Sequence, residues 1–221
     1  MSSLDARSDQ SQLKGIRGSF LDFIDDPFYI SELESVRYIS DGLMVLANGH
    51  IEAFGSYADL ESKYGEIPIT AYPGQLIMPG FVDTHIHYPQ TGMIAAYGEQ
   101  LLEWLNQYTF PTEQKFKDKA YASNVAEIFL DQLLRNGTTT ALVFATVFPQ
   151  SVDAFFEAAE RRNLCMIAGK VMMDRNAPDA VCDTAESAYQ ETKALIQKWH
   201  KRGRLHYAVT PRFAITSTDE Q

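Results

Sequence analysis

Positive charge is scarce in this chain. Nineteen Lys and Arg stand against 29 Asp and Glu in 221 residues, a formal net charge of −10 with His neutral. Nucleic acids and anionic membranes are bound chiefly by clustered cations, so this balance argues against both and favours a neutral small molecule. Cysteine is scarcer still: Cys165 and Cys182 form neither a disulfide framework nor a Cys-x-x-Cys pair, and they fit a reducing compartment. No uninterrupted apolar run approaches the roughly 20 residues that span a bilayer. The opening MSSLDARSDQSQLKG is polar, without the apolar core of a signal peptide, so the expected location is cytoplasmic. What remains is ordinary for a globular enzyme, with 45% hydrophobic and 22% charged residues.

Histidine is also sparse, at five residues, yet two of the five stand two apart in Pro79-Gly80-Phe81-Val82-Asp83-Thr84-His85-Ile86-His87-Tyr88-Pro89-Gln90. On a strand, residues i and i+2 project from one face, so the imidazoles of His85 and His87 can converge on one point. Neutral imidazole is a common metal ligand, and two of them leave room for further ligands and a reactive water. Asp83 shares that face; it either orients a ligand or caps the strand end. His50, in a hairpin turn, His200, at a helix C-terminus, and His206, at a strand start, read as structural or exposed.

Residues 1–12 read as a disordered tail rich in Ser, Asp and Gln. Residues 13–75 read as part of a small β-sandwich domain. There Val36–Ile39, Leu43–Leu46 and Ile51–Phe54 are strands, Asp41-Gly42 and Asn48-Gly49 are hairpin turns, and Ser56–Tyr64 is a short helix. Residues 76–221 alternate strand and helix. The expected strands are an apolar run Leu76–Val82, then Thr138–Val147, Leu164–Met173 and Leu205–Phe213. The expected helices are Glu113–Arg135, Ser151–Arg161 and Thr184–Arg202. Ser217-Thr218-Asp219-Glu220 has the pattern that opens another helix. Such alternation predicts a parallel sheet with crossover helices. The fold class expected is α/β: the N-terminal half of a TIM-type (β/α)8 barrel, preceded by part of a β-sandwich. A whole barrel takes about 250 residues and eight units, and this chain supplies about four. A longer enzyme is therefore the expectation, with a dimerising half-barrel as the alternative.

The phrase LIMPGFVDTHIHYPQ resembles the first barrel strand of the amidohydrolase superfamily, with its Pro-Gly-x-Val-Asp-x-His-x-His signature. VDTHIHYPQ, YGEQLLEWLNQYTFPTE, NGTTTALVF and TPRF, in that order, are similar to the guanine deaminase family within it. The resemblance runs from about Leu76 to Phe213. It implies hydrolysis of guanine to xanthine and ammonia with one zinc ion per subunit, His85 and His87 being two of the ligands. It implies that zinc activates a water, which attacks the carbon bearing the exocyclic amine while a carboxylate moves the proton. It implies that Gln90, Arg212 and Phe213 hold the purine, Arg212 through the ring carbonyl. Gln90 suits that role because its amide offers a donor and an acceptor. Successive residues of a regular strand point to opposite faces, so Arg212 and Phe213 cannot both face inward from one. The alternatives are a strand-end ion pair for Arg212 and core packing for Phe213. The segment Leu101-Leu102-Glu103-Trp104-Leu105 is expected to pack as a loop helix. The remaining metal ligands and the catalytic carboxylate are expected beyond Gln221, leaving this stretch inactive alone. A homodimer of the full-length protein is implied by the resemblance. Another amidohydrolase acting on a related aminopurine or triazine, or a non-catalytic half-barrel, are the competing readings.

Overall fold

The computed structural model describes residues 13–221, so the expected tail at 1–12 lies outside the described residues. The chain divides into two compact units after Pro79, four residues beyond the boundary expected from the sequence.

The first unit is a four-stranded sheet of order β3-β2-β1-β4, from β1 (Lys14–Phe23), β2 (Val36–Ala47), β3 (His50–Ser56) and β4 (Ile69–Ile77). The described residues of this unit form one sheet, where part of a β-sandwich is expected from the sequence. Asn48 and Gly49 form the β2–β3 turn with φ of 51° and 79°, the left-handed pair that a tight hairpin requires. Asp41-Gly42 is not a turn. The strand runs straight through it, and the β1–β2 register slips there, with Gly18 opposite Gly42 but Phe20 opposite Ile39. The reason is packing: a Cβ at Gly42 would lie 2.7 Å from the Phe20 ring. The dipeptide serves a bulge instead, and Asp41 accepts from Arg17 Nε at 2.7 Å across the sheet. The Ser56–Tyr64 helix is present as α2 (Tyr57–Tyr64), after the short α1 (Glu32–Ser35), with Ser56 Oγ accepting from Asp59 N–H. Leu43, Val45, Tyr64 and Ile67 form this unit's core.

The apolar run from Leu76 is split between two elements. Leu76 and Ile77 belong to β4, paired with β1, and the strand of the second unit begins at Phe81. That strand, β5 (Phe81–His87), starts a four-stranded sheet of order β5-β6-β7-β9, parallel throughout, with β6 (Thr138–Phe144), β7 (Cys165–Gly169) and β9 (Leu205–Tyr207). Between β5 and β6 the chain runs through a helical segment, 101–117, before α5 (Lys119–Arg135). The helix expected from Glu113 therefore starts at Lys119, because Asp118 takes the N-cap position and accepts from Ala120 N–H. The segment before it comprises α3 (Leu101–Trp104), a π-turn at Leu105–Thr109, α4 (Phe110–Glu113) and a 3-10 turn at Gln114–Lys117. Leu101 and Leu102 are exposed, while Leu105 and Phe110 are buried.

The other crossover helices are α6 (Pro149–Arg161) and α7 (Ala185–Trp199). Val152, Phe155, Phe156 and Ala159 recur at helical spacing on α6, and all are fully buried in the main core. Each aromatic side chain so buried contributes about 1.5–3 kcal/mol of transfer free energy. Tyr88, immediately after β5, enters the same core, and its hydroxyl donates to Ser151 O at 2.7 Å.

Two expected strands are broken. Leu164–Met173 becomes β7 and β8 (Val171–Met172), and Leu205–Phe213 becomes β9 and β10 (Thr210–Pro211), with β10 parallel to β8 in a separate pair. Gly169 permits the crossing: a Cβ there would lie 1.9 Å from Ala208 O. Among residues 217–221 no helix opens. Ser217 Oγ donates to Met172 O at 3.4 Å, and Thr218 N–H and hydroxyl both donate to the Asp174 carboxylate.

Candidate active site

The C-terminal ends of the parallel strands lie level. His87 pairs with Phe144, and Phe144 with Gly169. In α/β sheets this is the end at which ligand sites gather. Between Asp83 and Ile86 strand β5 holds one residue more than its partner, and the bulge is filled by Asp83 Oδ1, which accepts from His85 N–H at 3.0 Å. Asp83 thus braces the backbone of His85, the strand-end cap of its two expected roles. The His85 and His87 ring centroids are 5.3 Å apart, and His87 stacks on Phe144 at 4.6 Å and 11°.

Burial is the main reason the His87 imidazole has its pKa lowered to about 4, with the Arg212 guanidinium and His85 adding to the effect. Its Nδ1 is buried without a hydrogen-bond partner. A neutral imidazole with an unshared ring nitrogen is what a metal ligand offers, so the pair fits two positions around a metal ion. Among the described residues, no group of three or more His, Cys, Asp or Glu is arranged to complete such a shell.

All five residues singled out in the sequence meet at one cavity of ≈ 230 Å3, lined by His85, His87, Gln90, Arg212 and Phe213. Phe144 closes its floor beside the histidines, and Trp104 and Leu105 line it from the helical segment. The Trp104 indole is anchored by Nε1–H donating to Ala96 O at 3.0 Å. A larger hollow of ≈ 500 Å3 also touches His85, His87 and Gln90, but its remaining walls run to Ile94, Phe129 and Leu133 and include neither Arg212 nor Phe213. Arg212 joins Gln90 and the histidines only at the smaller one.

Arg212 and Phe213 both reach that cavity because the strand has already ended at Pro211. Arg212 N–H donates to Met172 O at 3.2 Å, holding the segment against β8. The ion-pair alternative for Arg212 is also realised. Its Nη1 donates to both oxygens of Glu113 at 2.9 Å, with side chains 6% and 1% exposed, between residues 99 apart. Burial pushes the Glu113 carboxyl above its usual range, and Arg212 pulls against that. The sequence reading did not single out Glu113. The available signal was its phase: Phe110, Glu113 and Phe116 recur every three residues, and both aromatics are buried.

A second buried cation lies in the run Lys170–Arg175, which the sequence places on the active-site side. Lys170, fully buried just after β7, pairs with Asp183 and lies 3.3 Å from Glu191. Its carbonyl accepts from Thr210 Oγ1 at 2.7 Å, tying β10 to the end of β7. Lys170 does not line the cavity; it fastens the segment that carries Arg212. Of the other histidines, His50 is exposed and His200 Nδ1 accepts from Tyr207 N–H at 3.2 Å. His206 stacks edge-on against His200 at 5.7 Å.

A sequence model of the amidohydrolase family matches residues 76–221. Guanine deaminase of Escherichia coli (strain K12) is 57% identical over 218 residues, covering 97% of this chain and 49% of that protein. The crystal structure of guanine deaminase from Bradyrhizobium japonicum superposes with a TM-score of 0.91 at 45% identity, covering 95% of this chain and 46% of the other. Guanine deaminase from C. acetobutylicum with guanine bound in its active site superposes with a TM-score of 0.84 at 28% identity, covering 94% and 48%. The chain spans about half the length of the curated relatives it matches.

Proposed function

The chain belongs to the amidohydrolase family, and from that premise we propose that it supplies the metal-binding strand and the purine-recognition wall of a guanine deaminase. The observation that carries this reading is the convergence of His85, His87, Gln90, Arg212 and Phe213 on one cavity, in a chain 57% identical to a guanine deaminase. The net reaction is addition of water to guanine, giving xanthine and ammonia.

His85 and His87 would hold a zinc ion, which when bound supplies a Lewis acid and an activated water. The chain's own residues prepare that chemistry. Phe144, stacked on His87, fixes the ring plane. The nearby positive charge of Arg212 helps keep the imidazole unprotonated and free to ligate. Gln90 offers its amide to the purine edge as both donor and acceptor. Arg212 has one nitrogen committed to Glu113 and its remaining guanidinium N–H groups available for a ring carbonyl. Phe213, with Trp104 and Leu105, provides apolar wall against which a flat heterocycle excludes water. Among the described residues no group of three or more His, Cys, Asp or Glu completes the metal shell, and the rest of that shell and the proton-transferring carboxylate are assigned to the remainder of a catalytic unit of the relatives' length. A cytoplasmic location and a dimer of that unit complete the proposal.

The test is ammonia release from guanine with zinc supplied, by this chain alone and by the reading frame that encodes it. Release by the reading frame and none by the isolated chain is the expected pattern. No release by a folded, zinc-loaded product of the reading frame would remove guanine as the substrate.

A further inference from the structure

We infer that Glu113 sets the charge class of the ligand: by pairing with Arg212 it tunes the cavity for neutral heterocycles bearing a ring carbonyl and against anionic ones. The inference rests on the reading of Arg212 as a ligand-binding donor.

Three observations carry it. First, an arginine lining a cavity is by itself an anion site, because the guanidinium stays charged and its planar fork matches a carboxylate bidentately. In this cavity that counter-charge is already present. Both Glu113 oxygens accept from Nη1 at 2.9 Å, and Glu113 is Arg212's one ionic partner among the described residues. Second, the carboxylate sits behind the arginine. Glu113 is 1% exposed and is not among the residues lining the cavity, so it neutralises Arg212 without competing for the ligand. Third, the pair is shielded from water, where opposite charges are weakly screened and a third charge brought nearby is felt strongly. A ligand carbonyl can accept from the free N–H groups of Arg212 without adding charge. A ligand carboxylate would place a second anion against one guanidinium already satisfied by the first.

Glu113 is therefore a positioning residue as well. Its anchor is α4, which follows the π-turn at Leu105–Thr109, and single π-turns are frequent at functional sites. Pairing across 99 residues fixes the arginine's rotamer and leaves one edge of the guanidinium presented.

The experiment compares two ligands on the same ring, hypoxanthine (neutral, with a ring carbonyl) and purine-6-carboxylate (anionic). Their dissociation constants are measured by calorimetry on the zinc-loaded product of the full reading frame, wild type and Glu113→Gln. The wild type is expected to prefer hypoxanthine. Glu113→Gln keeps the shape and removes the charge, so it is expected to shift the ratio toward the carboxylate by about tenfold or more. An unchanged ratio in a folded variant overturns the inference, as does a wild type that prefers the carboxylate or binds neither ligand. If Glu113→Gln fails to fold, Glu113→Asp carries the test, since it keeps the charge and withdraws it by one methylene. Weaker hypoxanthine binding with the preference retained is then expected, and unaltered affinity overturns the positioning role. A wild type that shows the preference yet releases no ammonia from guanine would remove the deaminase reading and leave this inference standing.

Discussion

Replacing Arg212 by Met tests the buried ion pair and the recognition role together, and a double-mutant cycle with Glu113 separates them. Arg212→Met strands a carboxylate that is 1% exposed, with no other side-chain partner among the described residues. Breaking a buried pair from one side costs about 3–5 kcal/mol. For a chain of this size that lowers the melting temperature by roughly 6–20 °C. Glu113→Leu alone strands the guanidinium and should cost a similar amount. The double variant removes both charges and fills the space with apolar atoms, an exchange that is typically neutral or stabilising. The coupling energy should therefore reach about 3 kcal/mol or more, far above that of an exposed pair. Trp104 and Trp199 are the two tryptophans of the chain and both lie in the second unit, so urea unfolding followed by their fluorescence reports this unit. Stability should return in the double variant while binding of a carbonyl-bearing purine does not. Single substitutions costing under about 1 kcal/mol, or two costs that simply add, would mean that the pair is solvated and the argument wrong.

His85→Ala and His87→Ala should each abolish stoichiometric zinc binding, read by elemental analysis of the purified reading-frame product, and retention of a full equivalent in either would sink the metal assignment. In the metal-free chain the His87 ring should titrate near pH 4, not at the ordinary 6.5, as followed by NMR of the imidazole. The sign follows from burial. Below about pH 6.5 the unfolded chain takes up a proton that the folded one refuses, so folding stability falls as pH drops from 6.5 toward 4, with no contribution above. Gly169→Ala would bring a Cβ within 1.9 Å of Ala208 O, and the displaced backbone should cost about 1–3 kcal/mol in denaturant unfolding; an unperturbed variant would refute the close crossing.

The parts of this architecture that could be read in the sequence are those written locally. Period and turn chemistry marked the alternating strands and helices, and His85 with His87 stood out because two residues on one strand share a face. Gln90, Arg212 and Phe213 came from resemblance, and the cavity they share is formed by residues more than 100 positions apart. What could not be read depends on partners distant in the chain. Asp41-Gly42 looks like a turn until Phe20 is found packed over the glycine. Glu113 looks like an ordinary helix acid until Arg212 arrives beside it. Lys170 falls inside the strand expected at 164–173, and only Asp183 and Glu191, brought in by the next crossover, allow it to be buried. The single long strand expected at 205–213 hid the break that lets two consecutive side chains reach the same cavity.

The crossing at Gly169 also divides the candidate site by how firmly its halves are anchored. The histidine strand runs straight into Tyr88, locked in the main core by stacking and by its bond to Ser151. The segment beyond the buried Arg212–Glu113 pair, 214–221, is held otherwise, by polar bonds near the surface, among them Asn176 to Ile215 O at 2.7 Å and Arg175 to Ala214 O at 2.6 Å. Such a segment opens at a lower free energy than the whole unit, so its amides should exchange with solvent deuterium well before those of β6. Warming or mild denaturant would then loosen residues 214–221 first, with the buried Arg212–Glu113 pair giving way later. Under the proposed function, the purine wall would fray from that edge while the histidine strand keeps its place.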